Sequence, residues 1–163
     1  MDKIHLNKDA LKFRDEILGS PGGENLLKCY ACGACAASCP VREVDERYNP
    51  RRIIHMVLLG MREEVLRSDF IWLCSTCYTC SERCPQGVRL STIMQVLKNI
   101  AVREGIVPPS FQMQLKAIRE QGKLYEIEDF DNKKRSRMGL PELEKKCPDV
   151  DILMQGGTLR DVK

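Results

Sequence analysis

The chain has 163 residues, 43% hydrophobic but only 6% aromatic, which suits one domain of ordinary size with a modest core. Its opening residues, MDKIHLNKDALKFRDE, are charged and lack the apolar stretch of a signal peptide, and no run approaches the roughly 18 apolar residues of a membrane span; the richest, IIHMVLLGM, is short and contains His55. The formal charge is only +3, and nine cysteines in a chain without a sign of export point to a cytoplasmic protein whose thiols bind metal.

From the start, DALKFRDEIL (9–18) spaces Leu11, Phe13, Ile17 and Leu18 for a short helix stopped by Gly19. Pro21-Gly22-Gly23 reads as a loop, so residues 1–24 form an N-terminal helix and loop. Glu24 to Lys28 begins a short helix that runs into KCYACGACAASCP, with Cys29, Cys32, Cys35, Cys39 and Pro40. A polar stretch, VREVDERYN, follows. Asn49 then has the character of an N-cap, with Pro50 at the first helical position. Ile53, Ile54, Val57, Leu58, Met61, Val65 and Leu66 recur at helical spacing and predict one helix over about 50–67. Ser68 with Asp69 caps another short helix, SDFIWLC, leading into LCSTCYTCSERCP, with Cys74, Cys77, Cys80, Cys84 and Pro85. Ser91 is predicted to cap a helix over 91–104, with Ile93, Val96, Leu97 and Ile100 on one face and Gly105 at its end. Pro108-Pro109-Ser110 opens a further helix, about 110–121, ending at Gly122. Strand alternation is hinted at only near Leu124 to Ile127. From Glu128 the sequence turns polar and is broken by Pro141, Pro148 and Gly156-Gly157. Residues 25–122 thus make the cysteine-bearing domain, and 123–163 an irregular C-terminal tail, extended or docked on a partner.

The two cysteine runs are copies of one pattern, C-x2-C-x2-C-x3-C-P, and form the chain's one internal repeat. Cysteines three apart on a tight coil can point at three irons of a cubane iron–sulfur cluster, and in two-cluster proteins the fourth Cys serves the other cluster. This assigns Cys29, Cys32, Cys35 and Cys84 to one [4Fe-4S] cluster, and Cys74, Cys77, Cys80 and Cys39 to the other. The crossing ties two half-domains together, so metal binding and folding are linked. An oxidised cubane with four thiolates carries about −2, so two would take the chain from +3 to about −1. No case for nucleic acid then rests on the charge. Two four-thiolate zinc sites are the main rival, as a zinc-stabilised interaction module, and disulfides a distant one. Zinc sites usually use two CxxC pairs and have no need of the third Cys or of the Pro.

The remaining features have plainer readings. Cys147 is an inert thiol in a polar tail; His5 is isolated, and His55 is packing or surface within its helix. Tyr30, Trp72 and Tyr78 flank the cysteines and shield them from water. Lys133, Lys134, Arg135 and Arg137 form a solvated basic patch. No phosphate-binding glycine loop, nucleophile–His pairing or HExxH is present, so no catalytic residue is assigned. The chain reads as a one-electron relay.

KCYACGACAASCPV, YNPRRIIHMVLLGM and IWLCSTCYTCSERCPQGV together resemble the C subunit of heterodisulfide reductase, over roughly residues 25–105. The resemblance implies an all-α, α-helical ferredoxin domain, like the C-terminal half of the succinate dehydrogenase and fumarate reductase iron–sulfur subunits. It implies two pseudo-symmetric cysteine-run/helix halves around two [4Fe-4S] clusters. Those clusters would relay electrons from a flavin- and iron–sulfur-containing A subunit to a CCG-containing B subunit, which reduces the mixed disulfide of coenzyme M and coenzyme B. In methanogens this belongs to a flavin-based electron-bifurcating complex with a hydrogenase or formate dehydrogenase. In other anaerobes the acceptor differs, which leaves a relay subunit of another anaerobic oxidoreductase as the alternative. A succinate dehydrogenase-type subunit would carry a two-iron motif near its N-terminus, yet residues 1–28 hold no Cys; no CCG repeat is present either.

Overall fold

The computed structural model describes residues 8–155, and His5 and Gly156-Gly157 lie outside them. Among the described residues every regular element is helical, and the hint of a strand at Leu124 to Ile127 comes to nothing. No helix there is long and apolar enough to cross a membrane. The chain divides into two compact units, residues 1–106 and 107–163.

The first unit holds α1 (Lys8–Leu18), a 3-10 turn (Leu26–Lys28), α2 (Ala34–Ala37), α3 (Pro40–Val44), α4 (Pro50–Leu58), α5 (Arg62–Leu66), α6 (Phe70–Leu73), α7 (Thr79–Glu82) and α8 (Leu90–Arg103). The start of α4 follows the sequence: Asn49 Oδ1 accepts from the Arg52 N–H at 3.2 Å, and Pro50 takes the first helical position. Its end does not. The helix predicted over 50–67 is two helices, broken at Gly60, whose φ is +70°. There the Gly60 N–H donates to the Val57 carbonyl and the Met61 N–H to the Met56 carbonyl, both at 2.9 Å. This pair closes a helix around a left-handed glycine. The chain turns, and α5 packs back on α4. The apolar spacing served both pieces, since Ile53, Ile54, Met56 and Val57 are buried from one and Val65 and Leu66 from the other.

Two predicted caps also differ. Ser91 lies inside α8, not at its cap, and is 1% exposed. Its N–H donates to Ser81 Oγ at 3.2 Å and the two hydroxyls bond each other, tying α7 to α8. Asp69 takes the cap position of α6 without a side-chain bond, and Ser68 Oγ donates back to the Val65 carbonyl at 2.7 Å. The hydroxyls found stronger partners than the helix starts nearest them.

Phe13, Ile17, Leu26, Ile53, Ile54, Leu66, Ile71, Ile93, Met94, Leu97 and Ile100 join in one core. Fully burying each contributes roughly 1.5–3 kcal/mol before entropy is counted. Arg62 staples its edge: its guanidinium pairs with Glu16 at 2.7 Å and with Glu104, and stands 5.0 Å over the Phe13 ring. That joins α1, α5 and α8.

The second unit holds α9 (Pro109–Gln121), α10 (Asp129–Arg137) and α11 (Val150–Gln155). The expected irregular tail therefore contains two helices, and the boundary placed between 122 and 123 falls inside this unit, where α9 packs against α11. Gly122 permits the contact: its φ is +72°, and a Cβ there would stand 2.6 Å from Cys147 Cβ. α10 escaped notice for a physical reason. It buries no residue. It is held by a Glu128–Asp131 capping box, acidic Asp129 and Asp131 in its first turn and basic Lys134, Arg135 and Arg137 in its last. A helix made by its ends and charges shows no apolar period.

Candidate metal centre

The two cysteine runs fold alike, residue for residue. In the first, Ala31 and Gly33 have φ of +63° and +85°; in the second, the matching Thr76 and Tyr78 have +55° and +63°. Left-handed backbone costs a residue with a Cβ roughly 1–2 kcal/mol, and Ala31, Thr76 and Tyr78 all accept it. Such strain collects where a loop must curl around something. A single helical turn follows each curl, α2 and α7, and these two touch each other.

The curls and the helix starts enclose two cavities. The first is lined by five cysteines, Cys29, Cys32, Cys35, Cys80 and Cys84, and by Tyr30, Arg51, Ile54, Val88 and Leu90 among others. Cys74, Cys77, Cys80 and Cys39 line the second, together with Tyr48, Pro50, Leu90, Ser91 and Met94. The fourth Cys of each run thus faces the cavity of the other run. Cys80 and Leu90 line both cavities and form the wall between them. Cys39 is buried, whereas Cys32 and Cys77 are exposed, so each ring reaches the surface at its middle cysteine.

The thiols feel one another. Burial, reinforced by Cys29, raises the Cys35 pKa. Burial, then Cys74 and Cys35, pushes Cys80 up to about 11. Cys77 runs the other way: it is lowered by the Thr79 hydroxyl, 3.4 Å from its Sγ. The Val88 N–H donates to Cys84 Sγ at 3.3 Å. Two tyrosines stand beside the thiols, Tyr30 in the first cavity and Tyr48 in the second, and both phenols are held protonated, Tyr30 mainly by the neighbouring Cys32 and Tyr48 mainly by burial. Lys98 Nζ donates to the Cys74 carbonyl at 3.2 Å. The starts of α4 and α8 lie against the cavities through Pro50, Arg51 and Leu90, so the positive ends of two helix dipoles face them.

This donor set fits iron–sulfur clusters. No Asp, Glu or His lines either cavity; all the metal-binding donors are thiols, the soft ligands that such clusters prefer. All nine cysteines are free of disulfides. The thiols ring a space, as ligands of a polynuclear group must. Helix N-termini and N–H donors around it suit an anionic guest.

The other residues singled out in the sequence fall as follows. Tyr30 and Tyr78 sit at the two cavity mouths but are 59% and 47% exposed, so they shield only in part. Trp72 packs on the core and lines neither cavity. His55 lies half-buried on α4. Cys147 belongs to the second unit, where its backbone N–H donates to the Gln121 carbonyl at 2.8 Å. Sequence reasoning missed Tyr48, Arg51, Leu90 and Lys98. Tyr48 had a readable signal: an aromatic just before an Asn-Pro helix start, placed to pack on the first turn. Arg51 had none beyond its place after Pro50.

Known proteins sharpen the comparison. A family described as "4Fe-4S dicluster domain" matches residues 25–88. The chain is 36% identical to the iron–sulfur C subunit of the CoB–CoM heterodisulfide reductase of Methanopyrus kandleri, over 85% of this chain and 73% of that protein. It is 37% identical to the C subunit of the ferredoxin:CoB-CoM heterodisulfide reductase of Methanosarcina mazei, over 78% of this chain and 80% of that one. With the C subunit of the H(2):CoB-CoM heterodisulfide,ferredoxin reductase of Methanothermobacter thermautotrophicus it shares 31% identity, over 78% and 69%.

Proposed function

The chain belongs to the family of heterodisulfide reductase C subunits, and on that premise we propose that it is the electron relay between the other subunits of such a complex. It takes electrons from a flavin- and iron–sulfur-containing A subunit and gives them to a CCG-containing B subunit, where the disulfide of coenzyme M and coenzyme B is reduced. A hydrogenase or formate dehydrogenase feeds the wider complex. The observation that carries the reading is the pair of thiol-ringed cavities with Cys80 and Leu90 as their common wall. Cys29, Cys32, Cys35 and Cys84 hold one [4Fe-4S] cluster, and Cys74, Cys77, Cys80 and Cys39 the other; the cavity linings support this crossed division. Bound there, such clusters supply one-electron transfer.

The chain's own residues do the rest. The thiols give up their protons on loading. Ile54, Val88, Leu90 and Met94 are buried and keep water from the cavities. Cys32 and Cys77 bring each ring to the surface, where a partner's redox centre can approach. The relatives' names agree on the heterodisulfide and differ in the reductant, ferredoxin for one and H2 for another. A relay that only accepts and passes electrons is compatible with either source.

The test is anaerobic purification of the tagged full chain with its partners. A flavoprotein and a CCG-containing protein should copurify, and the isolated chain should carry two clusters by iron analysis. An acyl-CoA-linked or lactate-linked partner in their place would redirect the reading to the relay of another anaerobic oxidoreductase.

A further inference from the structure

We propose that Tyr48 is a potential-setting residue, its buried phenol donating a hydrogen bond to the Cys74 sulfur and raising the reduction potential of the second-run cluster. The inference rests on the reading above that Cys74 ligates a cluster.

Tyr48 is 2% exposed and lies in the second cavity beside Cys39 and Cys74. Its backbone is fixed on both sides. The Tyr48 N–H donates to the Asp45 carbonyl at 3.0 Å, and the next residue, Asn49, caps α4. A phenol so buried needs a hydrogen-bond partner. No carboxylate or imidazole lines this cavity. Cys39, Cys74, Cys77 and Cys80 bring their sulfurs to the same lining, and of these Cys74 bears most on the phenol. A hydrogen bond to a charged acceptor is about twice as strong as a neutral one, and in a buried site water does not compete for it. Donation draws negative charge from the thiolate, so the ligated iron accepts an electron more readily. Only the electron moves; the phenol keeps its proton.

The first cavity supplies an internal control. Tyr30 lines it beside Cys32, but it is 59% exposed, so water competes for its hydroxyl. A phenol therefore stands beside each ring of thiols, one wet and one dry, and only the dry one should weigh heavily.

The experiment is a redox titration of the full-chain holoprotein carrying Tyr48→Phe, followed by electron paramagnetic resonance, with iron counted per chain. One of the two midpoint potentials should fall about tenfold in equilibrium terms, ~59 mV for a one-electron couple. The other potential and the iron content should not change, and Tyr30→Phe should shift its own cluster less. Two unmoved potentials, a joint shift of both, or an equal effect from Tyr30→Phe would overturn the proposal. Loss of iron from Tyr48→Phe would mark a structural role and overturn it too. Site-specific 3-fluorotyrosine at position 48 keeps the shape and strengthens the donor. It should raise the same potential, and a fall or no change counts against the idea. A wild-type chain that binds no iron would defeat the underlying reading of the site instead, so the two failures stay distinct.

Discussion

The two cysteine runs have the same curl, the same left-handed positions and the same one-turn helix, yet they part company directly after their prolines. Past Pro40 the chain forms α3 and returns through Tyr48 and Asn49 to α4. Past Pro85 it makes a short turn at Gly87, whose carbonyl accepts from Asn25 Nδ2 at 3.0 Å, and enters α8. The repeated part sets where thiols point. The part that is not repeated decides what else stands beside them. The 40–51 link supplies both the buried phenol of the second cavity and the guanidinium of the first, while α8 supplies Lys98 and the shared Leu90. Ringing the cavities with thiols and making the two linings differ are thus jobs of different segments.

The largest expected effect tests the sharing of cysteines between halves. Cys39→Ala should cost the second-run cluster and spare most of the first; Cys84→Ala should do the reverse. Iron content should fall by about half in each, and the spectra of the survivors should differ. Loss of the first-run cluster alone from Cys39→Ala would sink the crossed assignment.

How much of this was legible depends on what each feature is made of. The cysteine spacing is local, so the two rings of thiols could be read directly. The helices at 9–18, 50–58 and 90–103 show because they bury an apolar face. The break at Gly60 hid behind apolar spacing that continues across it, since both pieces pack into one core. Ser91 misled because its hydroxyl serves a bond to Ser81 across two helices, and Ser68 because its hydroxyl turns back to the Val65 carbonyl instead of forward to α6. Tyr48 sat in a mostly charged stretch, VREVDERYN, and the thiols of Cys74, Cys77 and Cys80 that share its cavity lie beyond the whole of α4, α5 and α6 in the chain. α10 lacks any buried face and had only its charges to announce it.

A smaller effect should come from Arg51, which lines the first cavity with its Nη1 3.7 Å from where a side chain on Gly33 would begin. A cation there favours the reduced, more negative cluster. Being exposed, it is screened, and an exposed charge pair contributes at most about 1 kcal/mol. Arg51→Gln should therefore lower the first-run potential by roughly two- to fivefold in equilibrium terms, and less at high salt. The second-run potential should hold still. A shift confined to the second run would mean the cavities have been paired with the wrong neighbours.

The smallest expected effect is none at all, and it bears on the whole comparison. Every residue that lines either cavity falls between Cys29 and Met94, within the first compact unit. Ending the chain at residue 106 should leave two clusters in place and the gap between their potentials unchanged within measurement error. What should weaken is assembly. The second unit buries Ile127 and Val150 but leaves Leu124, Tyr125, Phe130, Met138, Ile152 and Leu153 at the surface. Apolar side chains in that number suit a protein partner better than water. A truncated chain that kept its clusters but no longer copurified with the other subunits would assign electron holding to one unit and docking to the other. A truncated chain that lost iron, or whose potentials moved apart, would mean the second unit helps to build the cavities, and the difference between the two runs could no longer be explained by the 40–51 link and α8 alone.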